Sequence, residues 1–300
     1  MDISFFLEVL IGGLLAGIMY AMVALGFVLI YKASGVFNFA QGAMVFFAAI
    51  TCVGISDKFG LSLWFAVPLT MGVMVVLAIG TEKLVLRPLV NQSEITLFMA
   101  TIGLAFFLEG LAQMIWGPRA RHLDLGIEDV PIAYLMDSFN IMVSQFDVIA
   151  AGICGVLVVV LALVFSKTKV GRALRAVADD HQAALAVGIP LQKIWVIVWT
   201  VAGFLALVAG LLWGARNGVQ FALTFVALKA LPVLILGGFT SVPGAIVGGL
   251  IIGASEKLAE VYVGPLVGGG IESWFPYVLA MLFLLARPEG LFGEKIIRRV

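Results

Sequence analysis

Three polar side chains, Ser34, Asn38 and Gln41, stand close together at the start of an apolar run, in the segment SGVFNFAQG of residues 34–42. A hydroxyl and two amides at this spacing can hydrogen-bond a polar solute. Gly35 and Gly42 flank them, so the segment reads as a broken helix whose freed backbone groups and amides line a path, with Ser34, Asn38, Gln41 and Gly42 as the candidate pathway residues. Unsatisfied amides are costly in lipid, so these side chains must face protein or a water-filled cavity. The competing reading has Asn38 and Gln41 only hydrogen-bonding between helices. Catalysis finds no support elsewhere in the chain. His122 and His181 are the only histidines, and the loop charges described below put them on opposite faces of a membrane, so neither a Ser-His-Asp set nor a metal site is expected. The sequence has no G-x-x-x-x-G-K-[ST] and no Gly-Lys dipeptide, so it holds no phosphate-cradling loop. Glu109 and Gln113, one helical turn apart, and Lys229 are isolated polar residues in apolar runs. They are expected to snorkel to the outer interface or to make a structural hydrogen bond.

The elements that must position these groups are set by composition. The chain has 300 residues, 62% of them hydrophobic and 12% charged, with a formal net charge of zero and a mean hydropathy of +1.15. That balance implies an all-α, polytopic membrane bundle and gives no basis for nucleic-acid binding. Charge-free runs at residues 9–31, 33–56, 59–81, 148–166, 194–215 and 230–255, with 95–116 interrupted only by Glu109, are each near or above the ~20 residues that cross a bilayer. Weaker segments at 221–236 and 274–286 bring the expected total to eight or nine, with one or more helices broken or re-entrant. A single domain over residues 1–300 with no linker is expected. No cleaved leader is expected either, since Met1 and Asp2 give no basic start and the first apolar run is too long. Cys52 and Cys154 lie in apolar runs and read as small buried hydrophobes. Four-residue glycine spacings (Gly13/Gly17, Gly210/Gly214, Gly244/Gly248, Gly249/Gly253) predict close helix packing. A thin internal echo pairs VLIYKASGVFNFAQGAM at 28–44 with VLILGGFTSVPGAIVGG at 233–249, each passing from an apolar run through a break into another.

Residues 167–193 are the one strongly polar stretch. Five basic residues there outnumber Asp179 and Asp180, which predicts a cytoplasmic loop. Lys32, Lys83 with Arg87, and the basic C-terminal tail fall on the same side if the N-terminus is outside. The acid-rich segment 117–147 falls on the other. Within the loop, Asp179 is expected to cap a two-turn helix with Gln182 as its reciprocal partner, and Gly188 to supply a left-handed end before Pro190. The small apolar residues Ala183, Ala184, Leu185 and Val187 on that helix suit another protein's groove.

The ordered segments GVFNFAQGAM (35–44), TEKLVLRPL (81–89), MATIGL (99–104), GRALRAVADDHQAALAVGI (171–189), LILGGFTSVPGAIVGGLIIG (234–253) and RPEGLFG (287–293) resemble the permease subunits of bacterial branched-chain amino-acid ABC importers, almost from end to end. The resemblance implies a multi-pass protein of the bacterial inner membrane and a division of labour. Two similar permeases form the pathway, two ATPases bind beneath it and use ATP, and a periplasmic solute-binding protein delivers the ligand. It also implies that Asp179, Asp180, Ala183, Ala184, Leu185 and Gly188 belong to the ATPase-coupling segment, and that the chain itself needs no cofactor. Many relatives carry His and Glu where this chain has Gln41 and Ala43, which leaves urea, short amides or other small solutes open as ligands. A stand-alone secondary transporter is the competing class.

Overall fold

The computed structural model describes residues 3–89, 92–179 and 181–293, without the side chains of His181 and Gln182. The described residues are overwhelmingly helical, with no strand beyond two isolated bridges, Arg121 to Val219 and Pro131 to Ser144. In chain order the helices are α1 (Ile3–Ser34), α2 (Gln41–Phe59), α3 (Leu63–Gly80), α4 (Glu94–Trp116), α5 (Ala133–Phe139), α6 (Gln145–Lys167), α7 (Lys169–Asp179), α8 (His181–Ala186), α9 (Leu191–Asn217), α10 (Val226–Gly237), α11 (Val242–Tyr262), α12 (Gly264–Val267) and α13 (Phe275–Ala286). Helix α3 runs on without interruption through a π-helical turn (Thr81–Leu86) and a 3-10 turn (Arg87–Leu89), and α10 is preceded by the 3-10 turn Phe221–Phe225.

Among the described residues, seven helical segments are long and apolar enough to cross a membrane, and Phe221–Gly237 and Phe275–Ala286 are shorter apolar helices. The expected all-α polytopic bundle is therefore what the chain forms, and the apolar run 230–255 does divide into the end of one helix and the start of the next. Several span edges read from charge fall short, by most at two places. Helix α3 with its turns continues to Leu89 through Glu82, Lys83 and Arg87, and α11 continues past Ser255 to Tyr262 through Glu256. In each case an ion pair, given below, lets a charged residue stay inside the helix.

Contacts divide the chain into two compact units, one drawn from Met1–Ala24, Gly126–Val160 and Leu228–Val300 and the other from Leu25–Leu125 and Leu161–Ala227. In the first unit, glycines bring α1 and α11 into backbone contact. A Cβ on Gly13 would stand 2.7 Å from the carbonyl oxygen of Gly253, and one on Gly17 would collide with Gly249. Lipid gives helices no hydrophobic reason to associate, so close backbone approach by small residues is what remains to hold them. Helices α10 and α11 fold against each other in the same manner, Gly248 against the Val233 carbonyl and Gly244 against Gly237. The ending RPEGLFG turns back on α10, where Leu291 N–H donates to the Leu236 carbonyl at 2.8 Å and Phe292 N–H to that of Gly237 at 3.1 Å. Carbonyls that a helix C-terminus leaves orphaned are satisfied in this way.

In the second unit α2 is the centre, buried on all sides from Gln41 to Ile55 and contacted by α3, α4 and α9. A helix apolar all round belongs in such a position. Gly210 of α9 sits against the Val45 carbonyl, and the indole N–H of Trp116 on α4 donates to Thr51 Oγ1 at 3.2 Å. By contrast the apolar windows of α3 and α4 are only 22% and 28% buried, which leaves large side chains such as Val76 and Phe106 outward. Both halves of the sequence echo are helix–break–helix elements, one in each unit: α1 to α2 through Gly35 (φ +68°) and α10 to α11 through Gly238 (φ +101°).

Candidate functional site

The segment 34–42 is a break between α1 and α2, and the structure accounts for almost all of its hydrogen bonding. Ser34 ends α1; its hydroxyl donates to the Ile30 carbonyl at 2.7 Å and accepts from Val36 N–H at 3.3 Å. Gly35 takes the left-handed conformation that turns the chain out of the helix. Asn38 Oδ1 accepts from Ala40 N–H, an Asx turn that leads into α2. Its amide donates to Gln41 Oε1 at 3.2 Å and lies 3.5 Å from Met44 Sδ. Both amides are fully buried, and Gln41 Nε2 has no hydrogen-bond partner among the described residues. The Gln41 amide occupies the space that a Cβ on residue 26, a glycine, would take, and Gly42 lies against the Thr224 carbonyl. The structure thus brings Asn38, Gln41 and Gly42 together inside the protein and holds Ser34 at the helix end. Of the break's surface, Gly35 and Phe39 are the exposed residues.

The break is tied to α4 by a residue that sequence reading passed over. Thr101 Oγ1 accepts from Phe39 N–H at 3.1 Å, and its proton lies within reach of the carbonyls of Phe37 (3.1 Å) and Phe98 (2.8 Å). Rings reinforce the tie: Phe27 stacks on Phe37 with centroids 5.2 Å apart, and Phe39 meets Phe98 edge-on at 5.9 Å. A threonine inside an apolar run is the only sequence signal for this, and it is a common one.

The polar loop after α6 holds two helices rather than the one expected. Helix α7 is amphipathic and buries Gly171, Leu174 and Val177. Thr168 Oγ1 accepts from Gly171 N–H at 3.2 Å, and Arg175 donates to the Phe165 carbonyl at 2.6 Å, so the start of α7 and the end of α6 cap each other. Asp179 is the last residue of α7 and is exposed, so it does not cap α8; Asp180, next in line, lies outside the described residues. The reason is that residues 169–179 have a helical apolar period of their own, which the two acids had obscured. The expected left-handed end is present: Gly188 has φ +84°, its N–H donates to the Leu185 carbonyl, and Ile189 N–H donates to that of Ala184 at 2.9 Å, a Schellman closure. This closure sorts the small apolar set. Ala184 is buried beneath the turn, whereas Ala183 is exposed, and Leu185 and Val187 are 54% and 75% exposed. Ala184 therefore packs inward and is not part of a presented face.

Two ion pairs with a buried carboxylate escaped sequence reading. Glu82, buried in the π-helical turn, takes a two-pronged contact from Arg87, at 3.0 Å to Nε and 2.9 Å to Nη2. The wider π turn places residues five apart on one face, a spacing that α-helical pattern reading does not look for. Lys229, for which the outer interface or a structural hydrogen bond was expected, makes a hydrogen bond: Nζ donates to Glu256 Oε1 at 2.8 Å, with Glu256 only 1% exposed. A lone lysine in an apolar run was itself a signal that a buried carboxylate should be sought. Glu109 is half-buried and Gln113 exposed. Cys52 and Cys154 are free and buried as expected. Among the described residues no group of three or more His, Cys, Asp or Glu side chains could hold a metal ion.

Comparison with known proteins covers the whole of this architecture. Residues 9–287 match the family model described as branched-chain amino acid transport system / permease component. The chain is 26% identical to the high-affinity branched-chain amino acid transport system permease protein LivH of Salmonella typhimurium, over 99% of this chain and 98% of that protein. It is 26% identical to BraD of Pseudomonas aeruginosa, over 100% and 99%. It is 28% identical to the probable branched-chain amino acid transport permease LivH of Methanocaldococcus jannaschii, over 95% and 92%. Among solved structures, PsaBC from Streptococcus pneumoniae in complex with Fab shares the fold, with a TM-score of 0.51 at 14% identity and 95% of each chain covered. A multi-pass helical chain, matched from residue 9 to residue 287, belongs to the family of permease components of branched-chain amino acid transport systems.

Proposed function

We propose that this chain is the transmembrane permease subunit of an ATP-driven importer that carries branched-chain amino acids. In this reading residues 1–300 act as one permease domain, paired with a second, similar permease. Two ATPase subunits supply the energy, and a periplasmic solute-binding protein delivers the ligand. The observation that carries this reading is the α7–α8 loop: two short capped helices that leave Ala183, Leu185 and Val187 outward on a polar segment that has no call for exposed aliphatic groups. Such a patch is suited to a groove on another protein. The basic residues around it favour the cytoplasmic side, which gives an outside N-terminus and an inside C-terminus. Asn38, Gln41 and Gly42 line or border the pathway in this reading, with Gln41 Nε2 the one amide donor there still lacking a partner.

The test is uptake of leucine into proteoliposomes holding the permeases, the ATPases and the binding protein. Transport should require ATP, stop with vanadate and survive a protonophore. Uptake that persists without ATPase subunits and collapses with the proton gradient would make the chain a stand-alone carrier. A binding protein that takes urea or a short amide and ignores leucine would replace the substrate and leave the transporter class standing. Thiol labelling of cysteines placed at His122 and Ala183 should report opposite faces; the same face for both would remove the coupling assignment.

A further inference from the structure

The Lys229–Glu256 pair is an unfinished site within the first unit. Glu256 is 1% exposed and sits on a helix that crosses the apolar region, where an ionised carboxylate is expensive unless it is fully satisfied. It is only half satisfied. Oε1 takes Lys229 Nζ at 2.8 Å and the Tyr20 hydroxyl at 3.4 Å, while Oε2 is buried with no partner among the described residues. Lys229 is in the complementary position. Its ammonium has three N–H donors, one directed at Glu256, and it stands 5.9 Å from the centroid of the Tyr20 ring. Its side chain is 32% exposed, so the pair can be approached from the lysine side. Three different helices, α1, α10 and α11, deliver these three side chains, and the glycine contacts of α1 and α10 with α11 fix their spacing.

A carboxylate oxygen lacking a donor beside an ammonium with donors to spare matches, with opposite signs, one class of ligand: a zwitterion whose ammonium and carboxylate are separated by a single carbon. We propose that Tyr20, Lys229 and Glu256 form a binding subsite for the α-ammonium and α-carboxylate of an amino acid. The ligand's ammonium donates to Glu256 Oε2 and its carboxylate accepts from Lys229. With no ligand, the pair neutralises itself, which keeps the charges tolerable while the site is empty. The subsite reads the head group that all amino acids share and leaves the side chain to other parts of the system. It rests on the amino-acid reading given above.

The experiment separates a ligand site from a structural ion pair. Apolar replacement of both partners, Lys229→Met with Glu256→Met, removes the charges together and is commonly tolerated when a buried pair is only structural. The reversed pair, Lys229→Glu with Glu256→Lys, keeps the attraction but presents the wrong sign to each end of the ligand. Both are assayed in the full complex with ATPases and binding protein, for assembly, basal ATP hydrolysis and uptake. The expected result is near-normal assembly and basal hydrolysis, with uptake reduced at least tenfold in both. Wild-type uptake in either double variant, or failure of both to assemble, would make the pair structural and overturn the proposal. The variants are assayed with whichever solute the wild-type complex imports. Absence of leucine uptake in wild type refutes the substrate reading, whereas import of an uncharged solute by wild type overturns this subsite as well.

Discussion

Replacing Thr101 by valine keeps the shape of the side chain and removes one hydroxyl, and the structure allows its cost to be worked out. The hydroxyl has a single proton, shared between the Phe37 and Phe98 carbonyls, and accepts from Phe39 N–H. Phe98 lies inside α4, so its carbonyl keeps a helical partner; Phe39 N–H, in the break, loses the acceptor that Thr101 gives it. A buried backbone group left unpaired costs roughly 1–3 kcal/mol, and this one is only partly buried, so about 1 kcal/mol is the reasonable figure. At 1.4 kcal/mol per factor of ten, this lowers the preference for the ordered break by about fivefold. The expected readouts are a fall in the melting midpoint of the purified complex of about 2–4 °C, and reduced uptake. Thr101→Ser keeps the hydroxyl and loses one methyl, so it should restore most of both. If the valine variant melts and transports as wild type does, or if serine is no better than valine, then the hydroxyl does not hold the break and the ring contacts do so alone.

Three further outcomes follow from the geometry. Leu185→Asp and Val187→Asp should each uncouple ATP hydrolysis from uptake while leaving the permease in the membrane, because both side chains face outward; Gly188→Val should do so by opening the Schellman turn, at about 1–2 kcal/mol. Gln41→Leu should impair uptake with the amount of assembled complex nearly unchanged; loss of assembly instead would assign Gln41 to holding Asn38. Gly17→Val should prevent α1 from seating on α11 and deplete folded protein in the membrane, whereas Gly12→Val, at a position where a Cβ meets nothing, should be tolerated.

Much of this architecture is legible in the sequence because a membrane makes hydropathy a direct reporter of helices. The break at Gly35, the left-handed Gly188 and the packing of Gly13, Gly17, Gly249 and Gly253 all follow from local chemistry. What escaped was set by partners distant in sequence. Glu256 looked like the edge of a span because its neutralising lysine is 27 residues away on another helix. Ala184 looked like part of a presented face because composition does not say which side of a two-turn helix packs down. Thr101 looked like any threonine in an apolar run, since its role depends on a loop more than sixty residues earlier in the chain. Helix α7 was hidden for a different reason: its period is clear, but eleven residues rich in arginine and alanine invite a reading by charge first.

The π-helical turn at Thr81–Leu86 has a consequence for insertions and deletions. An added or lost residue in an α-helix rotates everything beyond it by about 100°. A π turn already holds one residue more per hydrogen-bonded ring, so loss of a residue there can be taken up by tightening to an α-turn, with the direction of the downstream chain little changed. The contact that depends on the wide turn is Arg87 on Glu82, because a spacing of four rather than five would have to serve the same fork. Removing Val85 should therefore convert a five-residue salt bridge into a four-residue one and leave a continuous span. Removing Ala49 from the wholly buried α2 would turn an apolar surface with no free side out of register with α3, α4 and α9 at once. Length is negotiable at the polar end of the third span and fixed at the centre of the bundle.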